Sequence, residues 1–291
     1  MNVKGASMVR SPAQLADDLA FGTVAERVVR VVWLGQTGFV LKSNAGQVVI
    51  DPYLSDSLTK KYANTNKPHV RMSAIALLPE HLTRVDLLLV SHKHSDHFDP
   101  ETTPKILAAS PTARLVLPET LVDHALNMNI SRERLIPINA GDVFTQGAWT
   151  IRAIPSAHEG LDTDDQGRHL YLGFVVECKT DRGTFRCYHS GDSLAYDGLE
   201  ERLGPAKFDI LFLPINGRDP SRGVPGNMNA REAVSLASKI KTRFLVPHHY
   251  DMFTFNTVPI GDFEAAAKAL PEGVSPLVLA LGTPWDAEVE P

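Results

Sequence analysis

Four apolar runs in this chain end in histidine or aspartate. DLLLV (86–90) leads to His92, TIRAIPSA (150–157) to His158, FRCYHSG (185–191) to Asp192, and RFLVP (243–247) to His248 and His249. Short apolar runs bounded by turn residues read as buried strands. A strand is rigid, and the loop at its end exposes side chains to a cleft. Four strand ends offering nitrogen and carboxylate donors supply what a buried metal site requires. The chain is thereby constrained to a fold in which these ends meet.

The first run continues into SHKHSDHFDP (91–100), where His92, His94, Asp96 and His97 fall within six positions. In an extended segment alternate residues share a face, so His92, His94 and Asp96 point one way and His97 turns elsewhere. One tetrahedral ion rarely takes four ligands so close in sequence, because the loop cannot wrap it. Two ions, each completed from distant loops, fit better, with Asp192 a candidate bridge. His158 offers the further nitrogen that a three-nitrogen site needs. In PHHYD, spacing alone leaves either His248 or His249 as the late ligand. His189 reads as a residue that orients a ligand by a hydrogen bond. The isolated His69, His81, His124 and His169 read as surface or hydrogen-bonded histidines. Closed structural zinc sites favour cysteine, so this all-His/Asp set points to an open, catalytic centre.

Residues 1–27 read as a peripheral segment and 28–291 as a single domain. VVRVVWLG (28–35), GFVLKS (38–43) and GQVVIDPYL (46–54) form a meander of short strands. Strand and helix patterns then alternate: a strand at 114–117, a helix over 119–127, and strands in WTIRAIPSAH, HLYLGFVVEC, GTFRCYHSGD, KFDILFLPIN and FLVPHHYDMF. Asn229 and Glu232 make a capping pair for a helix with Ala233, Leu236, Ala237 and Ile240 at helical spacing. Asp262 is expected to cap a last helix, which Pro271 ends. RVDLLLVSH and KFDILFLPIN share charge, Asp and an apolar run, a weak internal echo. Strand-rich stretches in each half predict two packed sheets with helices outside. A two-residue turn at Arg182-Gly183 would place Cys178 and Cys187 opposite each other, as reduced thiols.

Lys and Arg number 29 against 34 Asp and Glu, a net charge of −5, and no basic run is present. This argues against nucleic acid as a partner. No apolar stretch approaches the roughly 18–20 residues that span a bilayer, and no secretory signal pattern opens the sequence. A cytoplasmic protein without a membrane partner is expected. Between a strand and the Asn229 helix lies the Gly/Pro-rich INGRDPSRGVPGNMN (215–229), where Arg218 and Arg222 are candidates to clamp a phosphate or carboxylate. Two solvated loop arginines are the plainer reading.

With HxHxDH at 92–97, a strand-end His158, the HSGD ending at Asp192 and P-x-H at 247–249, the chain resembles the metallo-β-lactamase fold superfamily. That resemblance implies an α/β fold, a four-layer αββα sandwich with a binuclear site between the sheet edges. It implies that His92, His94 and His158 hold one divalent ion and Asp96, His97 and His249 the other, with Asp192 bridging. It also selects His249 over His248, which is left as a candidate substrate contact. VVWLGQTGFVLKS, YHSGDSLAYDGL, VPHHYDMF and the HFDP ending are similar to the branch of L-ascorbate-6-phosphate lactonases and their relatives. This similarity implies a cytoplasmic, homo-oligomeric hydrolase using zinc or manganese, with iron suited to the same ligands. Its expected substrate is a lactone or ester of a small anionic, sugar-acid phosphate-like molecule, an ester-type rather than an amide-type bond. Asp96 would orient the attacking water or shuttle its proton. A phosphodiesterase or nuclease using the same two metals is the alternative. A non-catalytic metal-binding module is the alternative of another class, and turnover of any lactone, ester or diester would exclude it.

Overall fold

In VVRVVWLG both alternating sets of side chains are largely apolar, so the strand it forms must be covered on both faces. The computed structural model, which describes residues 10–290, meets that requirement. Val29, Val31 and Trp33 face a second sheet, whereas Val32 and Leu34 face helices.

The first sheet is built from β1 (Val28–Gly35), β2 (Gly38–Ser43), β3 (Gly46–Ile50), β4 (Leu87–Leu89), β5 (Arg114–Pro118) and β6 (Leu135–Ile138). The second contains β7 (Val143–Gln146), β8 (Trp149–Pro155), β9 (Leu172–Lys179), β10 (Thr184–His189), β11 (Ile210–Pro214), β12 (Phe244–His248) and β13 (Ser275–Pro276). A last strand, β14 (Trp285–Glu288), returns to pair with β1, so each sheet has seven strands. Both sheets follow one plan. β1–β2–β3 form an antiparallel meander, then β4, β5 and β6 add in parallel. β8–β9–β10 form the second meander, then β11, β12 and β13 add in parallel. β4 and β11 hold equivalent places, and they are the two strands that carry the sequence echo.

Outside the first sheet pack α1 (Pro12–Phe21), α3 (Thr103–Ala109) and α4 (Val122–Asn127), through Leu15, Leu19, Ile106 and Ala125. The short α2 (Ser57–Tyr62) precedes β4, and α5 (Leu199–Leu203) follows β10. Outside the second sheet lie α6 (Ala230–Ile240) and α7 (Ile260–Ala266), through Ala233, Leu236, Ala237 and Phe263. The four layers are therefore helix, sheet, sheet, helix. Among the described residues no helix is long and apolar enough to cross a membrane.

Asn229 and Glu232 form the expected capping box of α6. Three local expectations fail for identifiable reasons. Leu15 and Leu19 of α1 are buried, so this part of the expected peripheral segment contributes to the core, while residues 1–9 of it lie outside the described residues. Asp262 does not cap α7, which begins after Pro259 and leaves Asp262 in its first turn. Lys179 pairs with Thr184, so the hairpin loop has four residues and the register moves by two. Cys178 therefore faces Phe185 and Cys187 faces Val176; both are free thiols.

Candidate metal centre

Beyond Leu89 the chain coils instead of extending. The backbone N–H groups of His97 and Phe98 both donate to the His94 carbonyl, at 3.0 and 2.8 Å. This turn overrides the expected alternation, because it carries Asp96 away from His92 and His94 and beside His97. His158 follows the end of β8, Asp192 that of β10, and His249 that of β12. The structure brings the seven residues together in two groups: His92, His94, His158 and Asp192, and Asp96, His97 and His249. His92 Nε2 lies 2.9 Å from His94 Nδ1. Asp192 stands between the groups, with Oδ2 3.6 Å from His158 Nε2 and 3.3 Å from His249 Nε2, and Oδ1 3.4 Å from His97 Nε2. Two donors about 2.1 Å from one tetrahedral ion stand about 3.4 Å apart. The spacing therefore suits ions. His97 Nε2 and Asp192 Oδ1 are also buried without any hydrogen-bond partner, a cost of about 1–3 kcal/mol each unless something binds them. Imidazole and carboxylate donors suit zinc, manganese or iron. The residues present thus fit the group that the sequence implied.

A further set of contacts aims these donors. Asp51, fully buried just past β3, accepts from the Ser91 N–H at 2.8 Å, the Ser91 hydroxyl at 2.6 Å and His97 Nδ1 at 2.8 Å. Ser91 Oγ in turn lies 3.0 Å from His92 Nδ1. One carboxylate thereby fixes the ring of a donor in each group and leaves each Nε2 for an ion. His158 Nδ1 donates to the Gly226 carbonyl at 3.0 Å. Gln36, in the β1–β2 turn, donates from Nε2 to Asp96 Oδ2 at 3.0 Å, and its carbonyl accepts from the His249 N–H at 3.0 Å. Gln36, Asp51 and His249 all hold left-handed backbone, φ 49°, 43° and 63°. Such conformations cost about 1–3 kcal/mol each and persist where the surroundings over-determine them. Gly191 also has positive φ, and a Cβ there would come within 2.8 Å of the Leu172 carbonyl oxygen, so only glycine fits between Ser190 and Asp192.

The two-sheet sandwich has known counterparts. The model of the beta-lactamase superfamily domain matches residues 47–250. The chain belongs to the metallo-β-lactamase superfamily. It is 25% identical over 260 residues to a metal-dependent hydrolase of Archaeoglobus fulgidus, covering 89% of this chain and 99% of that one. It is 24% identical over 267 residues to a protein described as the probable L-ascorbate-6-phosphate lactonase of Salmonella heidelberg, covering 82% of this chain and 74% of that one. The fold is similar to that of Igni18, a metallo hydrolase of Ignicoccus hospitalis, with a TM-score of 0.63 at 19% identity over 90% of this chain and 99% of that one.

In this superfamily member the electrostatics divide along the two groups. Burial, helped by His97 and His94, holds His92 well below the usual imidazole range. Burial acts the same way on His97, but the carboxylates of Asp192, Asp51 and Asp96 outweigh it and raise that imidazole well above its ordinary pKa. Burial would raise Asp192, yet His249 and His97 hold it well below the carboxylate range.

Five of the donors, His94, Asp96, His158, Asp192 and His249, line a cleft of about 430 Å³, a small-molecule size. A larger cavity, about 610 Å³, sits at the opposite end of the first sheet by the β2–β3 turn, and no metal-donor residue lines it. Neither Arg218 nor Arg222 lines the cleft. Arg218 is exposed near Glu232, and Arg222 donates to the Asn216 carbonyl and Asn256 Oδ1. Their loop instead supplies the Gly226 carbonyl to His158 and the Val224–Pro225 wall. His248, the other candidate, is fully buried, stacks on His189 at 5.0 Å and does not line the cleft. His189 donates from Nε2 to the Thr37 carbonyl and accepts from the Gly191 N–H, so it braces the turn before Asp192. Two of the histidines read as incidental, His69 and His124, line the cleft. Sequence reasoning missed Asp51 and Gln36, although Asp51 obeys the same rule of a polar residue directly after an apolar strand.

Proposed function

We propose that the protein hydrolyses a lactone or ester bond in a small anionic molecule, with two divalent ions held between the sheet edges. The observation that carries this reading is the setting of Asp96. Its side chain keeps 18% of its surface exposed while His97, Asp192 and His249 keep at most 4%, and it faces the cleft. Bound there, divalent ions would lower the pKa of water from about 15.7 toward about 7 and polarise a substrate carbonyl. The remaining work belongs to the chain. Burial would raise the Asp96 pKa, but His97 and His249 outweigh it and keep the carboxylate below its ordinary value, hence ionised at neutral pH. Gln36 anchors Oδ2, and Oδ1 has no hydrogen-bond partner among the described residues. Oδ1 can therefore orient a water and accept its proton, then return that proton to the leaving oxygen. The similarity to a named lactonase supports the bond type.

The test is a panel of sugar lactones, aryl esters and a generic phosphodiester offered to the metal-loaded protein. Turnover of a lactone or ester is expected, with Asp96→Asn lowering kcat by about 100- to 10,000-fold while the fold is retained. Turnover of the diester alone would overturn the bond assignment. An unchanged kcat in Asp96→Asn at full metal occupancy would remove Asp96 from the proton pathway.

A further inference from the structure

Besides the metal donors, the cleft lining is aromatic and cationic. Tyr62, at the end of α2, stacks on His69 with centroids 4.5 Å apart and planes at 29°. Phe255 continues the panel at 5.0 Å from His69, and the buried Phe253 backs it at 5.2 Å. His69 Nδ1 donates to the Lys67 carbonyl at 2.8 Å, which fixes its ring plane. Burial lowers the proton affinity of His69, so the panel is uncharged at neutral pH.

Around this panel the lining carries Lys61, Lys67 and Lys93, and no carboxylate apart from the metal donors Asp96 and Asp192. Lys67 is engaged, donating to the Gly223 carbonyl. Lys61 and Lys93 form no ion pair among the described residues, and the Lys61 ammonium lies 5.2 Å above the Tyr62 ring. The neighbouring Lys60 shows the contrast, since it faces away and is paired with Glu101 at 2.8 Å. In a chain of net charge −5, free positive charge is thus set beside the site.

We propose that this wall is a recognition subsite for a flat, negatively charged group, so that the substrate carries a planar ring or conjugated portion and an anionic substituent away from the bond that is cut. The proposal rests on the hydrolase reading above and names its substrate class. Aromatic faces favour flat partners. An exposed lysine in the lining reads an anion as a point charge, which tolerates sulfonate, carboxylate or phosphate.

Binding of three probes to the metal-loaded full-length protein separates the two terms: benzenesulfonate, methanesulfonate and benzyl alcohol. Benzenesulfonate is expected to bind about tenfold more tightly than either of the others. Lys61→Ala should weaken benzenesulfonate about threefold to fivefold and leave benzyl alcohol unmoved, and Lys61→Glu should weaken it further. Phe255→Ala should weaken benzenesulfonate and benzyl alcohol alike. Equal binding of the three probes, or indifference to both Lys61 variants, overturns the subsite. The same variants are then compared on phenyl acetate and 4-acetoxybenzenesulfonate. Selective probe binding without turnover of any lactone or ester would refute the hydrolase reading and keep the subsite. Ester turnover blind to ring and charge would do the reverse.

Discussion

Replacing Asp51 with Asn changes one atom of a fully buried carboxylate and tests how the donor rings are aimed. The carboxylate accepts three hydrogen bonds, from the Ser91 N–H at 2.8 Å, the Ser91 hydroxyl at 2.6 Å and His97 Nδ1 at 2.8 Å. An amide of the same shape cannot accept all three. If its oxygen stays on the Ser91 N–H, its NH2 meets His97 Nδ1, and the ring answers by carrying its proton on Nε2. That nitrogen is the one facing Asp192 and Asp96, at 3.4 and 3.8 Å, and once protonated it has no lone pair for an ion. A hydrogen bond to a charged acceptor is worth about 1.5–3 kcal/mol. At 1.4 kcal/mol per tenfold this is about a 10- to 100-fold loss of affinity, the range known for second-neighbour changes at metal sites. Calorimetric titration of the metal-free protein with zinc or manganese, with metal content measured after dialysis, reads the outcome. The Asp96–His97–His249 group should weaken by that factor, and the His92 group less, because Asp51 reaches it only through Ser91. Wild-type affinity and stoichiometry in Asp51→Asn would show that the carboxylate merely fills space.

Three further outcomes follow from the packing. His248→Phe should keep wild-type metal content and KM, whereas His249→Ala should lose metal; a loss of metal in His248→Phe would mean the wrong histidine has been assigned. Asp99 is buried and accepts from Ser57 Oγ at 2.7 Å, from Thr102 Oγ1 and from the Glu101 N–H at 3.3 Å. Asp99→Asn should cost about 1.5–3 kcal/mol in thermal or urea unfolding and raise KM more than it lowers kcat, since Ser57 begins the helix carrying Lys61 and Tyr62. Leu19, 1% exposed, should cost about 2–5 kcal/mol as Leu19→Ala. A cost under about 1 kcal/mol would show that α1 is not part of the core.

The metal donors were legible because they are ligand-type residues in the short segments that follow apolar strands, a local signal that survives without coordinates. The same criterion reaches Asp51, which follows Ile50 of β3 and was passed over because it stands alone in sequence. Gln36 gave no such signal, since an amide in a Gly-Thr turn is ordinary until the turn is seen folded onto Asp96. Alternation failed at Asp96 because it assumes extended backbone, while two hydrogen bonds to the His94 carbonyl close a turn. The anion-binding residues were sought among arginines near Asn229, yet the free charges in the cleft are lysines from two other segments. Which charges share a cleft is a matter of tertiary placement, and residue type alone does not report it.

The matching plan of the two sheets has a mechanical meaning. The first sheet contributes His92, His94, Asp96 and His97, and the second contributes His158, Asp192 and His249. Neither sheet can complete either group by itself, so the centre is a rivet across a seam between two near-equivalent halves. Whatever ion sits there binds only when the halves are docked, and so stabilises that docking by mass action, by about 2.7 kcal/mol at a hundredfold excess over Kd. Stripping the rivet should loosen the mouth of the seam first, where the cleft opens, and leave the apolar interior of each half joined.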